Sequence, residues 1–229
     1  MMRDWYPLEA SVTAGVDALG GKGHNLVALM RAGFTVPGGL VLTTGLHARL
    51  AGSDPAATLR VILAEGLRGF PLDTRFAVRS SGSDEDAGDT SFAGQHDTIL
   101  NVQGLDALVE AVQDCWASLD NDAARTYRAM HGSGAAAQMA VVVQQMVDAQ
   151  CAGVMFTRHP VRPDVDRVVV ESVGGLGDKL VGGTVMPDRV ELDRSGRRLV
   201  EAIHSADGIN SLDRIPDVDF VALAEQLEH

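Results

Sequence analysis

Leu26, Leu29 and Met30 recur at helical spacing up to Gly33 and Pro37, which predicts an amphipathic helix entered through Leu19-Gly20-Gly21-Lys22-Gly23-His24-Asn25. Phe34 to Thr44 then reads as loop and strand. A second helix starts at Asp54-Pro55, carries a buried stripe of Leu59, Ile62, Leu63 and Leu67, and closes at Gly69-Phe70-Pro71. Phe76-Ala77-Val78 is a short apolar run bounded by polar residues and predicts a buried strand. From about Leu105 to Met130 the apolar positions Leu105, Leu108, Val109, Val112, Cys115, Trp116 and Leu119 return to helical spacing, which assigns Trp116 to the core rather than to a nucleotide. Gly132-Ser133-Gly134 breaks this pattern. Three β-branched runs follow, Met139 to Val147, Gly153 to Thr157 and Val168 to Val173. Helices crowd the first half and strands the second, so the expected class is α+β.

Two polar segments interrupt the pattern. Arg79-Ser80-Ser81-Gly82-Ser83-Asp84-Glu85-Asp86, with Ser91-Phe92-Ala93-Gly94-Gln95 soon after, sets a cation and hydroxyls at a strand end. A guanidinium fork takes two phosphate oxygens, Ser80, Ser81 and Ser83 offer hydroxyl donors, and Gly94 lets backbone N–H groups approach an anion. The same residues also suit an ordinary capped turn. The second segment, Gly20-Gly21-Lys22-Gly23, sets a lysine at a helix mouth, where unpaired N–H groups and the dipole favour anions. It is not a Walker A loop, because Lys22 is followed by Gly23 rather than Ser or Thr.

Four segments occur in one order: Gly20 to Leu26; Phe76 to Ser81 with Ser91-Phe92-Ala93-Gly94-Gln95-His96-Asp97-Thr98; Ala140 to Val147 with Ala152-Gly153-Val154-Met155-Phe156-Thr157; and Gly174-Gly175-Leu176-Gly177-Asp178 with Pro187-Asp188. This arrangement, from about Leu19 to Val190, resembles the N-terminal ATP-binding domain of the phosphoenolpyruvate synthase, pyruvate phosphate dikinase and rifampin phosphotransferase family. The resemblance implies an ATP-grasp-like two-lobed fold, with a first lobe of about residues 1–138 and a second of about 139–226, truncated at its C-terminus. It implies ATP and Mg²⁺ as cofactors, with Lys22 and Arg79 neutralising the phosphates and acting in catalysis. Gly94 and Thr98 would belong to the loop over the phosphates, and Gln144, Met146 and Val147 to the crossing segment that holds the base. Glu171, Asp178 and Asp188 are candidate carboxylates near the phosphates, although no metal ligand set is defined.

Relatives pass the phosphoryl group to a histidine on a separate swivelling domain, so His24, His96 and His159 are expected to be polar loop residues. The histidine domain and the acceptor-binding domain would be supplied in trans or by further chain. A different class stays open: a nucleotide-binding or regulatory module without the metal-binding strands and without turnover.

Composition narrows the partners. Nineteen basic against 31 acidic residues give a net charge of −12, which argues against nonspecific nucleic-acid or anionic-membrane binding and requires positive potential to be made locally. Cys115 and Cys151 lie in apolar runs without metal spacing, as buried thiols of a reducing compartment do, and no signal or membrane span is read. The expected location is cytoplasmic. Leu227-Glu228-His229 reads either as a purification-tag remnant or as a native helix end.

Overall fold

The computed structural model describes residues 3–82, 98–120, 138–194, 198–203 and 220–227. The chain divides into two units, Met1–Val147 and Asp148–His229.

In the first unit, β1 (Trp5–Pro7), β2 (Gly39–Leu42), β3 (Arg75–Gly82), β4 (Thr98–Gln103) and β5 (Met139–Gln145) form one sheet in the order β1-β2-β5-β3-β4. Every neighbouring pair is antiparallel. The run Met139-Ala140-Val141-Val142-Val143 is apolar on both faces, which suits a central strand covered on both sides. Its two edges hydrogen-bond to β2 and β3, so β5 lies in the first unit.

Each face of this sheet is covered. Helix α1 (Val16–Arg31) lies on one face, where Leu19 and Val27 meet Val41, Ala140 and Val142. On the other face α2 (Thr44–Leu50), α3 (Ala56–Gly66) and α4 (Leu105–Ala117) pack against Leu40, Leu42, Phe76, Val78, Val141 and Val143. The predicted stripes account for this layer: Leu59, Ile62 and Leu63 of α3 and Leu108, Val109, Val112, Cys115 and Trp116 of α4 are all buried in it. An ion pair between Arg60 and Asp106 joins α3 to α4.

Trp116 also has a polar task. Its Nε1 donates to the carbonyl of Met139 at 3.3 Å, while His47 Nδ1 accepts from the Met139 N–H at 3.2 Å and the two rings stack at 5.0 Å. Side chains from α2 and α4 therefore pin the first residue of β5. Helix α4 ends at Ala117 and passes into a 3₁₀ turn, Ser118–Asp120. The expectation of helix to Met130 and of a break at Gly132 lies outside the described residues beyond that turn.

The second unit contains a sheet in chain order, β6 (Cys151–Phe156), β7 (Arg167–Gly174), β8 (Asp188–Asp193) and β9 (Arg198–Ile203), again antiparallel throughout. Val168 and Val170 form its small core with Met155, Leu192 and Phe220. Short helices α5 (Asp178–Val181) and α6 (Phe220–Leu227) complete it. The chain is thus a mixed α/β protein built on two antiparallel sheets. No described helix is long and apolar enough to cross a membrane.

Candidate functional site

The site is organised by the pleat of β3. Phe76 and Val78 belong to the cluster under α2, α3 and α4, so by the two-residue period Ser80 lies on that face as well. Ala77, Arg79 and Ser81 lie on the opposite face, which α1 covers. Ser80 is therefore not a phosphate donor on the arginine's side, contrary to the reading of the serine run as one anion grip. Among the described residues its buried Oγ has no hydrogen-bond partner.

Helix α1 is broken where it meets β3. Gly20 has φ 67° and ψ 172°, a conformation only glycine adopts without strain, and it separates a first turn from the segment that carries Lys22. Ser81 Oγ fills the break, accepting from the Gly23 N–H at 3.1 Å and donating to the Leu19 carbonyl at 3.0 Å. A Cβ on Gly20 would stand 2.1 Å from the Ser81 carbonyl oxygen and 2.4 Å from its Oγ, so the glycine is required by close approach as well as by its dihedral. The single donor hydrogen of the Ser81 hydroxyl is thus committed within the protein. Ser81 is a support of the helix mouth, and the sequence reading of it as a direct anion donor is corrected.

These contacts bring the lysine turn against the arginine strand. Lys22 adjoins Gly23, which Ser81 holds, and Arg79 is two residues before Ser81 on the same face, about 7 Å along the strand. Arg79 is partly buried, and among the described residues its Nε is buried without a hydrogen-bond partner. Leaving such a donor unpaired costs about 1–3 kcal/mol, a cost that an incoming anion would relieve. His24, expected as a loop residue, instead lies within α1 two residues past Lys22, and among the described residues its buried Nδ1 has no partner.

Thr98 opens β4 directly across from Arg79. Gln144 pairs with Ala77 and so occupies the same face as Arg79, with Val142 opposite the arginine. Its side chain is committed, donating from Nε2 to the Pro37 carbonyl at 3.1 Å. The N–H groups of Gln145 and Met146 are likewise used, by the carbonyls of Gly38 at 2.8 Å and Arg75 at 2.9 Å. Val147 follows with its side chain exposed. Gly94, Ser83 and His96 lie outside the described residues. Arg79, Thr98, Gln144 and the Lys22 turn are thus brought to one face of the first sheet.

The second unit contains the remaining candidates. Glu171 on β7 pairs with Arg189 at 3.4 Å, Asp178 opens α5, and Asp188 is buried at the start of β8 opposite Ser172. Among the described residues no group of three or more metal-ligating side chains gathers.

His159 lies in the turn after β6, as the sequence suggests, but it is buried there, at 3% exposed. Its Nδ1 accepts from the N–H groups of Val161 and Arg162 at 3.2 and 3.0 Å, and its Nε2 lies 3.2 Å from Glu191 Oε1 with the Arg162 guanidinium at 3.0–3.3 Å beside it. Glu191 also accepts from Arg167 at 2.7 Å, Arg189 at 2.9 Å and Arg162 at 3.1 Å. Burial alone would raise the Glu191 pKa, but the hydrogen bonds from Arg167 and Arg189 and the facing His159 hold it down at about 2. This group closes the turn after β6 onto β8. No local motif announces it, because its carboxylate is 32 residues from the histidine.

The pyruvate phosphate dikinase AMP/ATP-binding domain matches residues 53–214. That span includes Arg79, Thr98 and Gln144 and begins after Lys22. Phosphoenolpyruvate synthase of Aeropyrum pernix is 47% identical over 130 residues, 56% of this chain and 16% of that protein. Prodigiosin synthesizing transferase PigC of Serratia marcescens is 38% identical over 205 residues, 80% of this chain and 23% of its own length. Rifampicin phosphotransferase of Streptomyces sviceus is 36% identical over 211 residues, 76% of this chain and 24% of its own. The chain spans a quarter or less of each of these three relatives. The match over residues 53–214 shows that the chain belongs to the family of the pyruvate phosphate dikinase AMP/ATP-binding domain.

Proposed function

We propose that the first unit grips the phosphates of ATP in an ATP-grasp-like domain that positions ATP with Mg²⁺ for phosphoryl or pyrophosphoryl transfer to a histidine elsewhere. The observation that carries this reading is the Ser81 contact, which sets the Lys22 turn and Arg79 on one face of one sheet. On a chain of net charge −12, two cations on one covered face supply the local positive potential that a polyphosphate needs.

Each residue has a distinct task in this reading. Arg79, on a rigid strand, offers a planar fork for two phosphate oxygens and gains a partner for its buried Nε. Lys22, on a flexible stem at a helix mouth, follows charge as it moves between phosphates. Thr98, across from Arg79, contributes a hydroxyl, and Gly94 a backbone N–H, to the loop above. With the Gln144 amide turned to Pro37 and the N–H groups of Gln145 and Met146 in use, the base is read by Val147 and by carbonyls of this segment. Mg²⁺ arriving with the nucleotide neutralises phosphate charge and needs only one or two protein carboxylates besides phosphate and water.

Transfer of a phosphoryl group depends mainly on positioning and charge stabilisation, which is what this face supplies. The relatives' names differ in product or acceptor while the matched segment is shared. That supports a division of labour in which this domain handles ATP and other parts choose the acceptor.

Calorimetric titration of ATP with Mg²⁺ tests the site. Lys22→Ala and Arg79→Ala each lose about 1.5–3 kcal/mol of binding, the range for a charge-assisted hydrogen bond. Unchanged affinity in both variants removes the assignment.

A further inference from the structure

We infer that Ser81 is a positioning residue for nucleotide binding: its inserted hydroxyl holds the α1 mouth open so that Lys22 and Arg79 address one anion. The inference rests on the ATP reading above and assigns it a residue that touches no ligand.

In a regular helix the Gly23 N–H would bond to the Leu19 carbonyl four residues back. Here a single hydroxyl from a strand 58 residues away takes both groups, at 3.1 and 3.0 Å. A side chain inserted into the hydrogen-bond ladder is a recognised cause of a sharp kink, and the kink falls at Gly20, between the two bonded residues. The inserted hydroxyl therefore acts as a helix cap supplied from a distance, accepting from the third residue of the segment that starts after Gly20. Lys22 sits within this capped segment, one residue before Gly23.

Three positions are committed to this contact. Ser81 is completely buried, Gly20 leaves no room for a side chain against it, and a Cβ on Gly23 would come within 3.1 Å of Val41 Cγ1. Because Arg79 and Ser81 are alternate residues of one strand, β3 supplies both the arginine and the peg that registers the lysine. A shift of the helix mouth relative to β3 would change the separation of the two cations. Two cations that hold one triphosphate depend on that separation, because the charge-assisted hydrogen bonds of each need it within reach.

Ser81→Ala removes the peg but leaves the Gly23 N–H and Leu19 carbonyl free to bond to each other as the helix straightens, so the chain retains a satisfied backbone. The near-isosteric Ser81→Cys keeps the volume with a weakly bonding thiol and serves the same test if the alanine variant does not fold. Titrations of ATP with Mg²⁺ are made on wild type, Lys22→Ala, the Ser81 variant and the double variant, each shown folded by its thermal midpoint.

The Ser81 variant is expected to bind roughly tenfold more weakly, and Lys22→Ala in that background to add threefold or less, because the lysine is already misplaced. A Ser81 variant within twofold of wild type overturns the inference, and so does a Lys22→Ala effect as large in the variant background as in wild type. If Lys22→Ala is silent in wild type, the ATP assignment of Lys22 fails first, a result distinct from either of these.

Discussion

Replacing Gly20 with alanine tests the helix break at its tightest point. The substitution forces an L side chain to φ 67° and ψ 172°, a region essentially reserved for glycine, which costs about 1–3 kcal/mol. It also drives a Cβ to 2.1 Å from the Ser81 carbonyl oxygen and 2.4 Å from Oγ, so Ser81 must move and release Gly23 and Leu19. Two buried hydrogen bonds at about 1 kcal/mol each are lost. The lower backbone entropy of the unfolded alanine chain returns about 0.4–1 kcal/mol, leaving a net destabilisation of about 3 kcal/mol. Gly33→Ala is the control: Gly33 has φ 88° with nothing within 4 Å of its added Cβ, so only the dihedral cost remains, and the net is about 1 kcal/mol. Urea unfolding followed by tryptophan fluorescence measures both, since the chain's two tryptophans, Trp5 and Trp116, lie in the first unit. Equal losses in the two variants would refute the argument that Ser81 occupies the break.

Other expectations concern the rest of the chain. Glu191→Gln leaves Arg162, Arg167 and Arg189 without their shared carboxylate and destabilises the second unit by about 3 kcal/mol, as seen in its chemical denaturation; a loss under about 1 kcal/mol would show the cluster to be ornamental. Because the folded Glu191 pKa lies below its ordinary value, its contribution is complete above about pH 4.5 and is lost as pH falls toward about 2; an acid titration of Glu191→Gln should lack that loss. Trp116→Phe keeps an aromatic ring but removes the indole N–H donated to the Met139 carbonyl and part of the buried indole, for an expected loss of about 1–3 kcal/mol in thermal unfolding. Arg79→Lys is expected to recover less than half of the binding energy lost in Arg79→Ala, because an ammonium lacks the fork.

Much of the first unit was legible in the sequence. The stripes of α3 and α4 follow a 3.6-residue period strong enough to fix which side chains are buried, and the two-sided apolar run of β5 marks a central strand. β1, with three residues, and α2, with seven, are too short to establish a period. β4 begins at Thr98, inside what the motif presents as phosphate loop, so its pairing with β3 was hidden. The roles of the serines were recoverable in principle: Phe76 and Val78 set the parity of β3, which sends Ser80 to the core face and Ser81 to the side of Arg79. What no pattern could reveal is the meeting of Ser81 with Gly20, or of His159 with Glu191, because long-range partners leave no local period.

Determination of the structure with a non-hydrolysable ATP analogue and Mg²⁺ decides the central matter most directly. The account predicts Lys22 Nζ and the Arg79 guanidinium within hydrogen-bond reach of one triphosphate on the α1 face of the first sheet, with Ser81 still bonded to Leu19 and Gly23. A nucleotide on the opposite face, among α2, α3 and α4, or one whose phosphates touch neither cation, would contradict it.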